Sequence, residues 1–153
     1  MTNRTAPETG FTLIELLVTI AVAAIILMVA IPSFKEMINN NRLVTQVNAF
    51  TTSLATARSE AIQRSAQVTV CKSANGTSCT TSGNWEQGWI VFEDVNGNGS
   101  VNGGDDLIRV FSPLPTGFTL RVSGNFSDWL AYSRTGLSTG SSGASVAGTF
   151  RVC

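Results

Sequence analysis

The stretch GFTLIELLVTIAVAAIILMVAIPSF, residues 10–34, decides how the rest of the chain must fold. Between Phe11 and Ile31 its only ionisable side chain is Glu15, and the run stops at Pro32. Those 21 residues, rising about 1.5 Å each, cover a hydrocarbon core of roughly 30 Å, so the run reads as one transmembrane helix. A secretory signal peptide has a shorter apolar stretch, about 7–15 residues, and a small-residue cleavage site. Here the helical pattern continues beyond the run. A lone carboxylate in lipid costs about 2.5–3.5 kcal/mol or more, so Glu15 calls for a use.

Arg4 precedes the span, and Lys35 and Arg42 follow it, so flanking charge gives no orientation. The chain of 153 residues suffices for one ordinary domain plus an appendage. Ten basic and ten acidic residues cancel, which removes any bulk electrostatic case for nucleic acid or acidic membranes. The sequence contains no histidine, which weakens the commonest routes to metal ligation and general-base catalysis. Three cysteines, two of them close together, fit an oxidising compartment.

Residues 1–10 (MTNRTAPETG) are polar and carry Pro7 and Gly10. After Pro32 the pattern becomes amphipathic. Phe34, Met37, Ile38, Val44, Val47, Phe50, Leu54, Ala57, Ala61 and Ile62 recur mostly at steps of three or four. Asn39, Arg42, Gln46, Arg58 and Gln63 fall largely off that stripe. The periodicity predicts one helix from about Phe11 to Arg64, kinked at Pro32 rather than ended there. Its first half, 11–31, lies in lipid, and its second half, 32–64, is half-buried.

From Gln67 the signal changes to β. QVTVC (67–71), GWIVFED (88–94), LIRVF (107–111), FTLRV (118–122), DWLAYS (128–133) and TFRVC (149–153) are short and rich in β-branched and aromatic residues. SANG, DVNGNGSVNGG, SPLPTG and STGSSGAS between them carry turn and loop chemistry. The predicted class is α+β: a long N-terminal helix whose apolar stripe is covered by the inner face of an antiparallel sheet formed by 65–153.

Residues 10–34 resemble the N-terminal signature of type IV pilins and type II secretion pseudopilins. The match lies in Gly10, Phe11, Glu15 as the fifth residue after the Gly–Phe bond, and the apolar span closed by Pro32. RSEAIQR (58–64), VTVC, GWIVFEDVNGNG, LIRVF and the final GTFRVC resemble the GspH/FimT-type minor pilins. The resemblance implies that residues 1–10 are a leader, cut between Gly10 and Phe11 by a prepilin peptidase that then methylates the new amine of Phe11. It implies a bacterial inner-membrane protein with its leader inside and its sheet domain in the periplasm. The subunit would then leave the membrane to join other pilins in a filament. Once cut, the α-amino group of Phe11 is a cation, and Glu15 lies one helical turn away. A neighbouring subunit's amine is the natural counter-ion in lipid and favours one axial register. The alternative reading makes Glu15 an interfacial residue of an ordinary anchor.

Two features depart from that pattern. The residues beside the cut are Glu8 and Thr9, where many leaders are more basic. Related chains also usually continue past the last cysteine with another strand, which in some bears a Gly-Arg-x-Arg motif tied to DNA uptake. This sequence stops at Cys153.

Within the sheet domain, Cys71 and Cys79 frame CKSANGTSC with Asn75-Gly76 at its centre, a turn pair that can bring the thiols together as a disulfide. Pairing of Cys153 with either of them stays open. With three thiols and no histidine, zinc is not favoured. DVNGNGSVNGGD (94–105) places Asp94, Asn96, Asn98, Ser100, Asn102 and Asp105 at positions 1, 3, 5, 7, 9 and 12 of a calcium-loop alternation, with Gly99 at position 6. Position 12 is Asp rather than Glu and the flanks read as strands, so the alternative is a glycine- and asparagine-rich hairpin loop. Trp85, Trp89 and Trp129 sit in or beside strands and read as core. Arg109, Arg121, Arg134 and Arg151 could gather on one sheet face to hold DNA phosphates, or stand as solvated strand positions. Ser112, Ser133 and Asp128 suggest no triad, since no histidine accompanies them.

The expectation is therefore a structural, non-enzymatic minor pilin without a cofactor, Ca²⁺ being the one ion its sequence raises. It would prime or cap a type IV pilus and so support twitching, adhesion or DNA uptake. A DNA receptor for transformation and a type II secretion pseudopilin are the alternatives.

Overall fold

The protein is described here by a computed structural model, which covers residues 10–140 and 144–153. Apart from Gly10, the expected leader lies outside the described residues. The chain divides into two compact units, Met1–Asn41 and Arg42–Cys153. The long helix α1 spans Leu13–Arg64.

In the first unit α1 begins at Leu13, two residues later than the hydrophobic pattern predicts, because Thr12 caps it. The Glu15 backbone N–H donates to Thr12 Oγ1 at 3.3 Å and the Leu16 N–H to the Thr12 carbonyl at 3.2 Å. The Glu15 N–H is one of the orphan donors of a helix start, and the Leu16 bond is the first of the helix's own ladder. Thr19 Oγ1 donates to the Leu16 carbonyl at 2.8 Å, which satisfies a hydroxyl inside the apolar run. Pro32 lies inside the helix. It brings no N–H for the carbonyl one turn before it, yet α1 does not end there.

In the second unit the end of α1 buries Phe50, Ser53, Ala57 and Ala61, again at steps of three and four. The stripe that reaches the core is shorter than the sequence pattern, for Val44 and Ile62 are about half exposed (54% and 52%). Ala57 and Ala61 are fully buried in the core cluster that also holds Val68, Val70 and Leu130. Ser65 then takes a left-handed conformation (φ 53°), and the Ala66 N–H closes back on the Ala61 carbonyl at 3.2 Å. That pattern is a Schellman-type stop made without glycine.

The strands are β1 (Val68–Lys72), β2 (Trp89–Glu93), β3 (Asp106–Phe111), β4 (Leu120–Gly124), β5 (Trp129–Tyr132), β6 (Ser138–Gly140) and β7 (Gly148–Val152). They form two sheets where the sequence reading had one. The first has the order β3-β2-β1-β5-β6 and the second pairs β4 with β7. All described pairings are antiparallel, with Val70 opposite both Val91 and Leu130, and Arg121 opposite Arg151. The segment SPLPTG explains the division: Pro113 and Pro115 have no N–H for a ladder, and Gly117 turns at φ 95°. Within the ribbon Gly124 faces Gly148 so closely that a side chain on either would strike the opposite backbone. Strand β6 lies in the low-complexity segment read as loop, whose small residues carry no apolar alternation.

Strands β1 and β2 at the middle of the first sheet are covered on both faces. Val68, Val70, Trp89, Val91 and Leu130 enter the main core with Phe50, Ala57, Ala61 and Trp85. The ribbon adds its inner residues, Leu120, Val122, Phe150 and Val152. Phe50 is the hub, its ring 5.4 Å from Trp85, 5.3 Å from Trp89 and 5.0 Å from Phe150. The alternate residues Cys71, Ile90 and Phe92 form a second cluster with Cys79, Val101 and Trp129. Trp85 and Trp89 are core residues, whereas Trp129 is partly buried under the loops on the far face.

Candidate functional site

Gly10 and Phe11 precede the helix cap, outside regular structure and exposed. Nothing lies within 4 Å of a Cβ added at Gly10. Glu15 is an acid in the first turn of α1 and is exposed, where the helix dipole favours negative charge. The apolar run behind it is uncovered: its most apolar 18-residue window has mean hydropathy 2.9, with none of it buried. Phe34, Met37 and Ile38 are also exposed.

In the second unit Cys71 and Cys79 are joined as a disulfide, and Cys153 is free and exposed. The bridged loop is further tied down by Lys72, a buried lysine. Its Nζ contacts Asp128 Oδ1 at 2.8 Å and donates to the carbonyls of Thr81 and Gly83.

The loop from Asp94 to Asp105 joins β2 to β3, and its oxygens serve the loop itself. Asp94 is 1% exposed. Its carboxylate accepts from Thr69 Oγ1 (2.8 Å), the Gly99 N–H (2.9 Å), the Asn98 N–H (3.1 Å) and Gln67 Nε2 (3.5 Å). Asp105 accepts the Val95 and Asn102 N–H groups. Asn96 Oδ1 accepts the Asn98 N–H, Asn98 Oδ1 the Ser100 N–H, and Asn102 Oδ1 the Asn96 amide. Among the described residues, no group of three or more His, Cys, Asp or Glu side chains is placed to hold a metal ion.

The four arginines considered for DNA do not share one face. Arg121 and Arg151 are cross-strand partners on the outer face of the ribbon, beside the hydroxyl pair Ser123 and Thr149 (2.9 Å). These residues line a cleft of about 300 Å³. Arg109 stands in β3 of the other sheet. Arg134 lines a separate polar cleft of about 370 Å³ with Glu93, Asp94 and Gln67. The division follows from topology, since β3 and the β4–β7 ribbon belong to different sheets.

Residues 6–31 match the prokaryotic N-terminal methylation motif, and residues 46–153 match the family described as type II transport protein GspH. The second match covers more than half of the chain. The chain belongs to the GspH family. No curated protein and no solved structure matches it significantly. It is a minor pilin or pseudopilin of the GspH/FimT type, and its apolar N-terminal helix fits membrane anchoring followed by assembly with other pilins.

The GspH match starts four residues before Phe50, so it takes in the buried end of α1 along with both sheets. Several structural residues of this GspH-family chain were missed in the sequence. Thr12 had a signal, since Thr-x-x-Glu before an apolar run is a capping box. Glu86 had none. Its carboxylate, on the short 3-10 turn Trp85–Gln87, accepts the Leu120 N–H and the Arg121 guanidinium and so holds the edge of β4. Arg64, at the end of α1, gathers Glu60, Glu93 and Asp106 at 2.8, 3.0 and 2.8 Å.

Proposed function

We propose that this GspH-family chain is a structural, non-enzymatic minor pilin that primes or caps a type IV pilus. In this reading a prepilin peptidase cuts between Gly10 and Phe11 and methylates the Phe11 amine. Residues 1–10 stay on the cytoplasmic side of the inner membrane, and the sheet domain stands in the periplasm until the subunit joins the filament. One observation carries the reading: the methylation-motif match over residues 6–31 falls on a Gly10–Phe11 bond that is exposed ahead of a capped helix. The uncovered apolar helix supplies the surface that a filament core buries, and Glu15 supplies an acid for a neighbour's new amine. Priming a pilus would support twitching, adhesion or DNA uptake.

The test is expression of the full chain with and without a prepilin peptidase, followed by N-terminal sequencing. A mature N-terminus at methylated Phe11, seen only with the peptidase, is expected. An N-terminus still at Met1 in peptidase-positive cells would overturn the reading.

Two other roles have an observation behind them. The description of the matched family as a type II transport protein favours a secretion pseudopilus. Deleting the gene and scoring surface pili against exported proteins separates the two. The facing Arg121 and Arg151 favour a DNA receptor, which a salt-sensitive gel shift abolished by Arg151→Ala would support.

A further inference from the structure

The sequence holds four Asn-Gly pairs: Asn75-Gly76, Asn96-Gly97, Asn98-Gly99 and Asn102-Gly103. Such a pair is the most reactive context for asparagine, because glycine puts no side chain in the way of its own backbone nitrogen. That nitrogen loses its proton and attacks the asparagine Cγ. A new C–N bond closes a five-membered succinimide, the Cγ–Nδ2 bond breaks, and the nitrogen leaves as ammonia. Water then opens the ring at either carbonyl, giving aspartate or isoaspartate. No oxidant or reductant is involved. A glycine N–H held in a hydrogen bond is both less acidic and less free to approach Cγ.

The fold treats the four pairs differently. The Gly76 N–H donates to Ser73 Oγ at 3.0 Å. The asparagine side chains are all held by their own loops, Asn75 Oδ1 by the Thr77 and Ser78 N–H groups and Asn102 Oδ1 by the Asn96 amide, so what separates the pairs is the glycine. The Gly99 N–H donates to the buried Asp94 carboxylate at 2.9 Å, and Gly99 lies against the Trp129 ring. Neither Gly97 nor Gly103 donates a backbone hydrogen bond among the described residues. Of these two, Gly97 is fixed in the left-handed region (φ 72°) beside the Gln67 amide. Gly103 lies in open space, with nothing within 4 Å of a Cβ built on it.

We propose that Asn102 is a site of spontaneous deamidation and isomerisation, selected by the fold from four chemically equivalent Asn-Gly pairs. The reaction replaces the Asn102 amide, which donates to the Ser100 carbonyl at 2.9 Å, with a carboxylate that repels it. It also adds a negative charge to a loop already bounded by Asp94 and Asp105. The site therefore records the age of a subunit as an acidic form, without any enzyme.

The test uses the full chain in detergent micelles, incubated at mildly alkaline pH and sampled by peptide mapping for aspartate and isoaspartate at each pair. Asn102 is expected to react at least about tenfold faster than Asn75 and Asn98, the factor that one net hydrogen bond represents in a rate. In urea the four rates should converge, which assigns the selectivity to the fold. Gly103→Ala, which the open space accommodates, should slow the reaction at Asn102 and leave the other pairs unchanged. Equal rates at Asn75 or Asn98 in the folded chain would overturn the proposal. So would faster reaction at Asn96, or an Asn102 that stays intact.

Discussion

Thr12 Oγ1 accepts the backbone N–H of Glu15, so the lone acid of the apolar run stands in the first turn of a capped helix. The side chain of Glu15 is thereby left exposed and placed at the positive end of the helix dipole. Cap and charge are separable. Thr12→Ala should cost about 1 kcal/mol at the helix start and speed amide exchange over Leu13–Leu16 in micelles. Glu15→Gln should leave that exchange nearly unchanged while lowering incorporation into filaments. Equal incorporation of Glu15→Gln and wild type would remove the counter-ion role.

Glu86 links the turn before β2 to the edge of β4, accepting from the Leu120 N–H and the Arg121 side chain. Burial pushes its carboxyl up, but the bonds from Arg121 and the backbone outweigh that and hold it below the ordinary value. A depressed carboxyl stabilises the fold above its unfolded value of roughly 4.3. That contribution is lost as pH falls through the folded value. Urea midpoints of the wild type should therefore drop through this acid range, and those of Glu86→Gln should drop less. The variant should also be less stable near neutral pH.

Ser65 ends α1 in the left-handed region at φ 53°, where a Cβ is unfavourable. Its neighbours make the closing bonds, Ser65 N–H to the Ile62 carbonyl (3.3 Å) and Ala66 N–H to the Ala61 carbonyl. Neither bond uses the serine side chain. Ser65→Gly should accordingly raise stability by roughly 0.5–1 kcal/mol, after the extra entropy of an unfolded glycine is subtracted. A lower thermal midpoint for this variant would mean that the serine hydroxyl contributes something the geometry does not show.

The long helix, the strand segments other than β6 and the Gly10–Phe11–Glu15 pattern were legible because each rests on a local period or a local motif. The ribbon is a clear case: Leu120, Val122, Phe150 and Val152 turn inward while Arg121, Ser123, Thr149 and Arg151 turn outward, as alternation requires. The partition into two sheets was not legible, because pairing partners are set by long-range packing. Period also could not show where cover ends. Val44 continues the apolar stripe yet stays exposed, while Ser53 is fully buried because its hydroxyl donates to the Phe50 carbonyl at 2.6 Å. The links from Asp94 to Thr69, from Lys72 to Asp128 and from Arg64 to Glu93 and Asp106 join residues far apart in sequence, and composition carries no trace of them.

Phe50 is the one residue of α1 whose ring touches both sheets, meeting Trp89 in the first and Phe150 in the ribbon. It is fully buried, and Trp85 packs edge-on against it. Truncation to alanine removes that three-way contact and leaves a cavity bounded by large rings that cannot collapse into it. Phe50→Ala should therefore cost about 3–5 kcal/mol. Leu54→Ala, one turn on and only partly buried, should cost less. Tryptophan fluorescence reads the difference, because Trp85 and Trp89 both report on the Phe50 ring. Phe50→Ala should shift the emission of the folded protein and lower its urea midpoint, whereas Leu54→Ala should lower the midpoint only modestly. Equal midpoints for the two variants would show that the hub position of Phe50 carries no special weight.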